Sequence, residues 1–253
     1  MSVTTRDAVG LGCYVYGIVA AELVLPSDLV GVDDQAVTAI PYGDIAAVIS
    51  GADTERAQAG RKELLAHGHV LDSIAARGPV IPVRFGSLME AREAVERDVL
   101  APGHDRYRAL LDELTGHSQF TVKARYDEQQ ILTEVVAENP AIAQLRAATY
   151  GRPGVSSYSE RVRLGELVAR ALEQKSAQDG RTLLAELERH VSAMNVRESA
   201  GLDRLVDVAV LVEDGAREEF EQAVERLAAD FAGRARLKLV GPTAPYDFVA
   251  MED

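Results

Sequence analysis

The two closest histidines, His67 and His69, are the residues whose types and spacing come nearest to a site for metal binding or proton transfer. In a helix, residues two positions apart point about 200° away from each other, so an intact helix cannot bring both side chains to one metal ion. His67 follows Leu64 by three positions and precedes Leu71 by four, on the apolar side of the predicted helix. The pattern favours a hydrogen-bonded core histidine over a catalytic one.

Other residues that could perform chemistry are few. Cys13 lies in an apolar, β-rich segment without a basic neighbour to activate its thiol, which indicates a small buried residue. The sequence has no glycine-rich phosphate-binding pattern, no H-E-x-x-H and no G-x-S-x-G. Its carboxylates lie on helix faces, as at Glu218, Glu219 and Glu221, where solvation is the default. We therefore predict that the protein is not an enzyme and holds no cofactor or metal ion.

One charged residue, Arg84, interrupts an apolar segment from Gly78 to Gly86 that predicts a short strand. Pro82 has no backbone N–H, so this strand is expected at a sheet edge. A guanidinium group in such a strand needs a carboxylate or carbonyl partner. Two hypotheses stay open: a structural ion pair, which we favour, and a contact with a partner protein. A buried ion pair predicts that Arg84→Ala costs about 3 kcal/mol of stability. Alternation predicts a face made of Ile81, Val83 and Phe85, buried under the preceding helix.

Composition excludes several classes of function. The chain has 253 residues, with 27 Lys and Arg against 40 Asp and Glu, for a net charge of −13. Such acidity argues against nucleic acid or an anionic membrane as the main partner. A single cysteine permits no internal disulfide and fits a reducing compartment. No signal peptide is visible, and the longest apolar run is shorter than the ~20 residues of a membrane span. We expect a cytoplasmic protein.

The first half of the chain predicts the order strand, strand pair, helix, strand, helix. Gly17 within the first strand allows a bulge or a close backbone approach. The first helix has a stripe of apolar and small residues at helical spacing, namely Leu64, Gly68, Leu71, Ile74 and Ala75. Pro102-Gly103-His104 predicts a break between a helix over residues 90–100 and another over 105–114. The strands are predicted over residues 13–19, 36–40, 45–50 and 80–86.

The second half repeats this logic, with a strand first and helices between the later strands. Phe120, Val122 and Ala124 alternate onto one face of its first strand. The segment Tyr150–Ser157 is the loosest in the chain, because glycine, proline and serine are concentrated there. We predict an α+β fold of two layered domains with antiparallel sheets covered by helices and ferredoxin-like character. The domains are predicted over residues 1–116 and 117–253, the second with a helical segment over 155–191.

Two motifs carry a resemblance to a known family. Pro82-Val83-Arg84-Phe85-Gly86 forms the first, and Gly241-Pro242-Thr243-Ala244-Pro245-Tyr246-Asp247-Phe248 forms the second. Together with Tyr14–Val19 and His67, they resemble the GvpF/GvpL family of gas vesicle proteins. The resemblance runs from residue 14 to residue 248. The family tail usually contains Trp and Pro where this chain has Thr243 and Ala244, and Phe120 stands for a strand Trp.

The resemblance implies a function in gas vesicle assembly, through binding of the small hydrophobic shell subunit and association with other accessory proteins. It also implies a two-domain α+β fold with ferredoxin-like character. The implied partner-binding or structural residues are those of the two motifs: Pro82, Arg84, Phe85, Gly86, Tyr246 and Phe248. An acidic partner can mask an apolar subunit through a groove or by strand addition, and the candidate places are the Pro82 strand and Tyr150–Ser157.

Two hypotheses from other classes remain open. A small-molecule sensor built from ferredoxin-like domains would bind its ligand in a compact polar pocket between helix and sheet. An enzyme would require Arg84, His67 and a carboxylate to converge in one cleft.

Overall fold

The computed structural model describes residues 12–53, 60–151, 158–197, 201 and 203–249. The sheet of the first unit has the strand order β2-β3-β1-β4, with a short fifth strand that also pairs with β1. β1 pairs antiparallel with β3, β4 and β5, and β2 pairs antiparallel with β3. The strands are β1 (Gly12–Ala20), β2 (Val37–Tyr42), β3 (Ile45–Ala52), β4 (Val80–Pro82) and β5 (Leu88–Met89).

A β-bulge in β1 determines which of its side chains face the first helix, α1 (Arg61–Ala75). The register with β3 shifts between Val15 and Gly17, so Tyr16 is the extra residue. The shift lets Tyr14, Tyr16 and Val19 join the same core as α1. A side chain at Gly17 would meet the Ile81 carbonyl oxygen at 2.7 Å, because β4 passes so close. Gly17 was expected to allow a bulge or a close backbone approach, and both occur at this point of β1.

The strand that contains Pro82 lies at a sheet edge, as predicted, but it ends sooner than expected. β4 stops at Pro82, and a turn at Phe85 and Gly86 follows. Val80, not Ile81, packs in the core beneath α1, so the predicted alternation is wrong within the strand. Phe85 reaches that core only because the chain turns after β4.

Helix α1 buries a different stripe from the predicted one at its amino-terminal end. Its buried residues are His67, Val70, Leu71 and Ile74, whereas Leu64 is 51% exposed. The prediction of a buried His67 is therefore confirmed, and that of a buried Leu64 is wrong. The buried stripe therefore begins at His67, about one turn later than predicted.

The predicted break at Pro102 does not occur. Helix α2 (Arg92–Val95), a π-helical segment Glu96–Leu100 and helix α3 (Ala101–Leu114) form one continuous helical run. A proline lacks the N–H for an i−4 bond, and its ring crowds the carbonyl of that residue. The wider π turn directly before Pro102 provides room for the ring and removes the conflict. Contact with the other face of the sheet stabilises the run.

The second unit has a sheet with the strand order β7-β8-β6-β9. Its strands are β6 (His117–Tyr126), β7 (Ala193–Val196), β8 (Arg204–Glu213) and β9 (Ala235–Thr243). Its helices are α4 (Glu128–Glu138), α5 (Pro140–Thr149), α6 (Tyr158–Glu188) and α7 (Arg217–Asp230). Phe120, Val122 and Ala124 share one core with these helices, as their alternation predicted. The fold combines helices with two antiparallel sheets, which confirms the predicted α+β class.

Local sequence signals explain the helices that the periodicity missed. Pro140 occupies the first turn of α5, where its missing N–H costs nothing, and the Asn139 side chain accepts the Ile142 N–H. α6 is one helix of 31 residues where two stripes were predicted. Of the predicted loose segment Tyr150–Ser157, residues 152–157 lie outside the described part of the chain.

The chain divides into two compact units. The second unit is Phe120–Val240, and the first contains the described residues up to Gln119 together with those from Gly241 onwards. The sequence assigned the tail to its second domain; in the structure it groups with the first. Both sequence motifs therefore belong to the same unit.

Candidate partner-binding surface

A hydrogen-bonded relay connects the first motif to the interior of its unit. The Gly86 backbone N–H donates to the Tyr14 hydroxyl at 2.9 Å, and that hydroxyl lies 3.1 Å from Nδ1 of His67. A backbone N–H can only donate, so the Tyr14 oxygen accepts from Gly86 and its own proton is free to be donated to His67. With Nδ1 accepting, the neutral imidazole carries its proton on Nε2. The relay joins β1, α1 and the motif turn.

Burial keeps His67 uncharged. Only 1% of its surface is exposed, and burial lowers its pKa to about 4, an effect that the Val83 backbone partly opposes. Nε2 of His67 makes no hydrogen bond of good geometry with any described residue, although the Val83 backbone is nearby. A neutral histidine held in this way is a core residue that supports the turn, which agrees with the sequence-based hypothesis.

Four aromatic rings, two of which belong to the relay itself, pack against one another. The ring of His67 stacks on Tyr16 at 5.6 Å between centroids and meets the ring of Phe85 edge-on, also at 5.6 Å. Tyr14 lies 4.9 Å from Tyr16 and 6.4 Å from Phe85. Such tilted and edge-to-face pairs add to the stability gained from burial. We call Tyr14, Tyr16, His67 and Phe85 the aromatic cluster.

The buried hydroxyl of Tyr16 has its own partners. It accepts the Val32 N–H at 2.7 Å and lies 2.8 Å from Oγ of Ser50. A side chain at Gly31 would collide with this hydroxyl, at 2.0 Å. Burial raises the pKa of Tyr16, so the phenol stays protonated. The aromatic cluster is thus anchored on β3 and on the loop before β2.

Arg84 is exposed and lies outside the strand, in the turn that the relay supports. Its backbone carbonyl accepts bonds from Oγ of Ser87 at 2.8 Å and from the Ser87 N–H at 3.3 Å. The prediction of a guanidinium buried within an apolar strand is wrong, because β4 has ended two residues earlier. Pro82 is buried, Phe85 is half-buried and Gly86 is exposed with a φ of 88°.

The second motif packs on the same unit. Ala244 is fully buried in the core that contains Tyr14 and Phe85, and its N–H donates to Asp72 of α1 at 3.1 Å. The amide of Gln119 makes two bonds with Asp247: Nε2 donates to the carboxylate at 3.0 Å, and Oε1 accepts the Asp247 N–H at 3.1 Å. The tail is therefore held by hydrogen bonds at two points.

Tyr246 joins the two motifs. Although 45% of its surface is exposed, burial around its hydroxyl raises its pKa, and the charge on Asp72 and the phenol of Tyr14 raise it further. Tyr14 accepts a hydrogen bond from the turn of the first motif and shares its core with Ala244 of the tail. Phe248 is half-buried. We call the exposed parts of Arg84, Phe85, Gly86, Tyr246 and Phe248 the motif surface.

Sequence reasoning identified the motifs but missed what holds them. Asp72 and Gln119 were not singled out, and Tyr14 entered only through the resemblance. Asp72 lies on the exposed part of a helix, where a carboxylate is unremarkable. One signal was available. Tyr14 lies in β1, which is buried on both faces, and a buried tyrosine hydroxyl requires a hydrogen-bond partner.

The residues that an enzyme would need to bring together differ in their surroundings: His67 is buried and uncharged, whereas Arg84 is exposed. A search of the described residues finds no group of three or more His, Cys, Asp or Glu side chains able to hold a metal ion. None of the helices described here is long and apolar enough to cross a membrane.

Fold and surface together define a two-unit α+β protein whose distinctive residues form an aromatic-backed surface on the first unit. The family model for gas vesicle synthesis protein GvpL/GvpF matches residues 12–250. The chain belongs to this family, and the resemblance inferred from the two motifs is confirmed.

Several relatives agree with this assignment. The chain is 31% identical to gas vesicle protein F of Streptomyces sp. (strain CB03234) over 94% of its own length and 100% of that protein. It is 28% identical to gas vesicle protein F of Microcystis aeruginosa (strain PCC 7806), over 95% of this chain and 99% of that one. Gas vesicle protein L2 of Halobacterium salinarum is 26% identical, over 94% of this chain and 91% of its own.

Solved structures agree as well. The crystal structure of GvpF from Anabaena sp. PCC7120 superposes with a TM-score of 0.83 at 25% identity, covering 96% of this chain and 100% of that one. GvpF from Microcystis aeruginosa has the same fold, with a TM-score of 0.76 at 24% identity over 95% of this chain and all of that one.

Proposed function

We propose that this protein is a non-enzymatic assembly factor that binds the hydrophobic shell subunit of the gas vesicle. The observation that supports the proposal is that Phe85 of the first motif and Ala244 of the second pack in one core with Tyr14, so the two family motifs meet in the same unit. Family membership over residues 12–250 supplies the gas vesicle context. The site of action is the cytoplasm, in association with the growing vesicle, and other accessory proteins are further partners.

The physical need for such a factor follows from the shell itself. A subunit that faces gas on one side has an apolar surface that would aggregate before polymerisation. Arg84, Phe85, Tyr246 and Phe248 are of the residue types that dominate binding energy at protein interfaces. The relay and the tail anchors hold these side chains in place before binding, which reduces the entropy lost on association.

Strand addition at the Pro82 edge is the weaker mode of binding. β4 has only three residues, all of them buried, and Pro82 offers no N–H to an incoming strand. The motif surface presents side chains instead of an open backbone. Binding should therefore be mainly apolar, and its affinity should change little between low and moderate salt, although the Debye length falls to ~8 Å at physiological ionic strength.

The test has a cellular and a biochemical part. Deleting the gene from a vesicle-forming cluster should abolish or reduce buoyant vesicles, and the purified protein should capture the shell subunit. Tyr246→Ser should weaken capture roughly tenfold or more if Tyr246 is a central contact. Tyr42→Ser is the matched control, because Tyr42 is 38% exposed and lies on β2, at the opposite edge of the first sheet from β4. Normal vesicles after deletion, together with no detectable capture, would reject the proposal.

A further inference from the structure

The second unit contains a groove of about 480 Å³ that the family motifs do not touch. The middle of α6 forms one wall, and the end of β7 with the start of β8 forms the other. Gly180 and Gly201 leave it without side chains at two positions. Its apolar lining consists of Leu172, Ala177, Leu184, Val196, Leu205 and Val206.

Two arginines that line this groove, Arg181 and Arg204, make no ion pair with any of the described residues. Arg197 differs, because it binds Asp207 at 3.2 Å, and Lys123 approaches the same carboxylate at 3.6 Å. Glu173 is the other acidic residue of the lining. The described lining therefore has three arginines against two carboxylates, a balance that favours a negatively charged ligand even though the chain has a net charge of −13.

The strand beside the groove, β7, favours a ligand with an extended backbone. β7 is the outer strand of its sheet and pairs antiparallel with β8 on one side. Its last residue, Val196, is 54% exposed and lines the groove. An outer strand beside a groove with an apolar and basic lining suits a peptide that adds to the sheet. Alternate side chains of such a peptide would enter the groove.

We propose that this groove binds an extended protein segment in which apolar and acidic side chains alternate. The apolar side chains would pack on the leucine and valine lining, while the carboxylates would pair with Arg181 and Arg204 in charge-assisted bonds. The interaction goes beyond the apolar contact proposed for the shell subunit, because it uses another surface and another chemistry. Its affinity falls with salt, whereas the affinity of the motif surface does not.

The experiment measures fluorescence anisotropy with full-length protein and a short labelled peptide that alternates valine and glutamate. A peptide with lysine in place of glutamate is the control ligand. The acidic peptide should bind and the basic one should not. Arg181→Glu and Arg204→Glu should each weaken binding roughly tenfold, as expected when a close charge pair becomes repulsive. Arg226→Glu is the matched control: Arg226 is an exposed arginine on α7, outside this groove, and its reversal should leave affinity unchanged.

Three results would overturn the proposal. The first is no binding of the acidic peptide, and the second is equal binding of the acidic and basic peptides. The third is the same loss of affinity in Arg226→Glu as in the two groove variants, since that would reflect net charge alone. Thermal melts of the variants exclude misfolding, and unchanged melting with lost binding supports the groove. A failure here leaves capture of the shell subunit by the motif surface unaffected, so the two proposals are distinguishable.

Discussion

The hydroxyl of Tyr14 lies 3.1 Å from Nδ1 of His67 and thereby joins the middle of the first sheet to the helix that covers it. The same hydroxyl accepts the N–H of Gly86, in the turn of the first family motif. One buried phenol therefore satisfies a helix residue and a turn residue that lie 53 and 72 positions away from it in the chain. Its removal would leave both without a partner.

We predict that Tyr14→Phe lowers the free energy of unfolding by about 2 kcal/mol, because it leaves a buried acceptor and a partly buried N–H unpaired. Urea denaturation measures the change. Tyr42→Phe serves as the control, since Tyr42 is 38% exposed and should lose less than about 0.5 kcal/mol. Equal losses in the two variants would show that the relay does not contribute to stability.

The buried His67 predicts a pH dependence of stability. Burial lowers its pKa to about 4 in the folded protein from the ordinary histidine value of 6.5, so between these pH values the unfolded state binds more protons. Stability should therefore fall as the pH is lowered from 6.5 towards 4, by on the order of 2 kcal/mol. His67→Gln should flatten this part of the profile.

Urea midpoints measured across that pH range give the His67 profile. His69→Gln is the control variant, because His69 is exposed on the same helix and its loss should leave the slope as in the wild type. If His67→Gln retains the full slope, then other groups are responsible for the loss of stability in acid.

Arg84→Ala should change the free energy of unfolding by less than about 1 kcal/mol, because interactions of an exposed guanidinium contribute little. This replaces the cost of about 3 kcal/mol that a buried ion pair would imply. Capture of the shell subunit should weaken instead. Thermal melts and pull-downs on the same preparation separate the effects, and a large loss of stability with normal capture would identify Arg84 as structural.

Asp72 should anchor the tail through its bond to the Ala244 N–H. Asp72→Ala is expected to cost about 1–2 kcal/mol and to speed hydrogen exchange at Ala244, because that N–H loses its acceptor. Asp72→Asn keeps an acceptor oxygen and should retain most of the protection. Unchanged exchange in Asp72→Ala would mean that packing alone holds the tail.

Much of the secondary structure could be predicted from local pattern. β-branched residues predicted β1, β3, β6 and β8, and Gly17 predicted the bulge. Pro82 predicted an edge strand because the missing N–H is a property of the residue itself. Pro102 led to the wrong prediction of a helix break, because the effect of a proline on a helix depends on the turn before it. Here the π turn before Pro102 makes room for the proline ring.

The candidate site shows where local pattern stops being informative. The order and composition of the two motifs, and the burial of His67, could be predicted from the residues. The exposure of Arg84, the grouping of the tail with the first unit, and the shared core of Tyr14, Phe85 and Ala244 depended on the tertiary structure. The physical reason is that periodicity reports which face of an element is apolar, whereas a hydrogen-bond partner is chosen by packing. Asp72 and Ala244 are separated by 172 positions, and only the folded chain brings them within 3.1 Å.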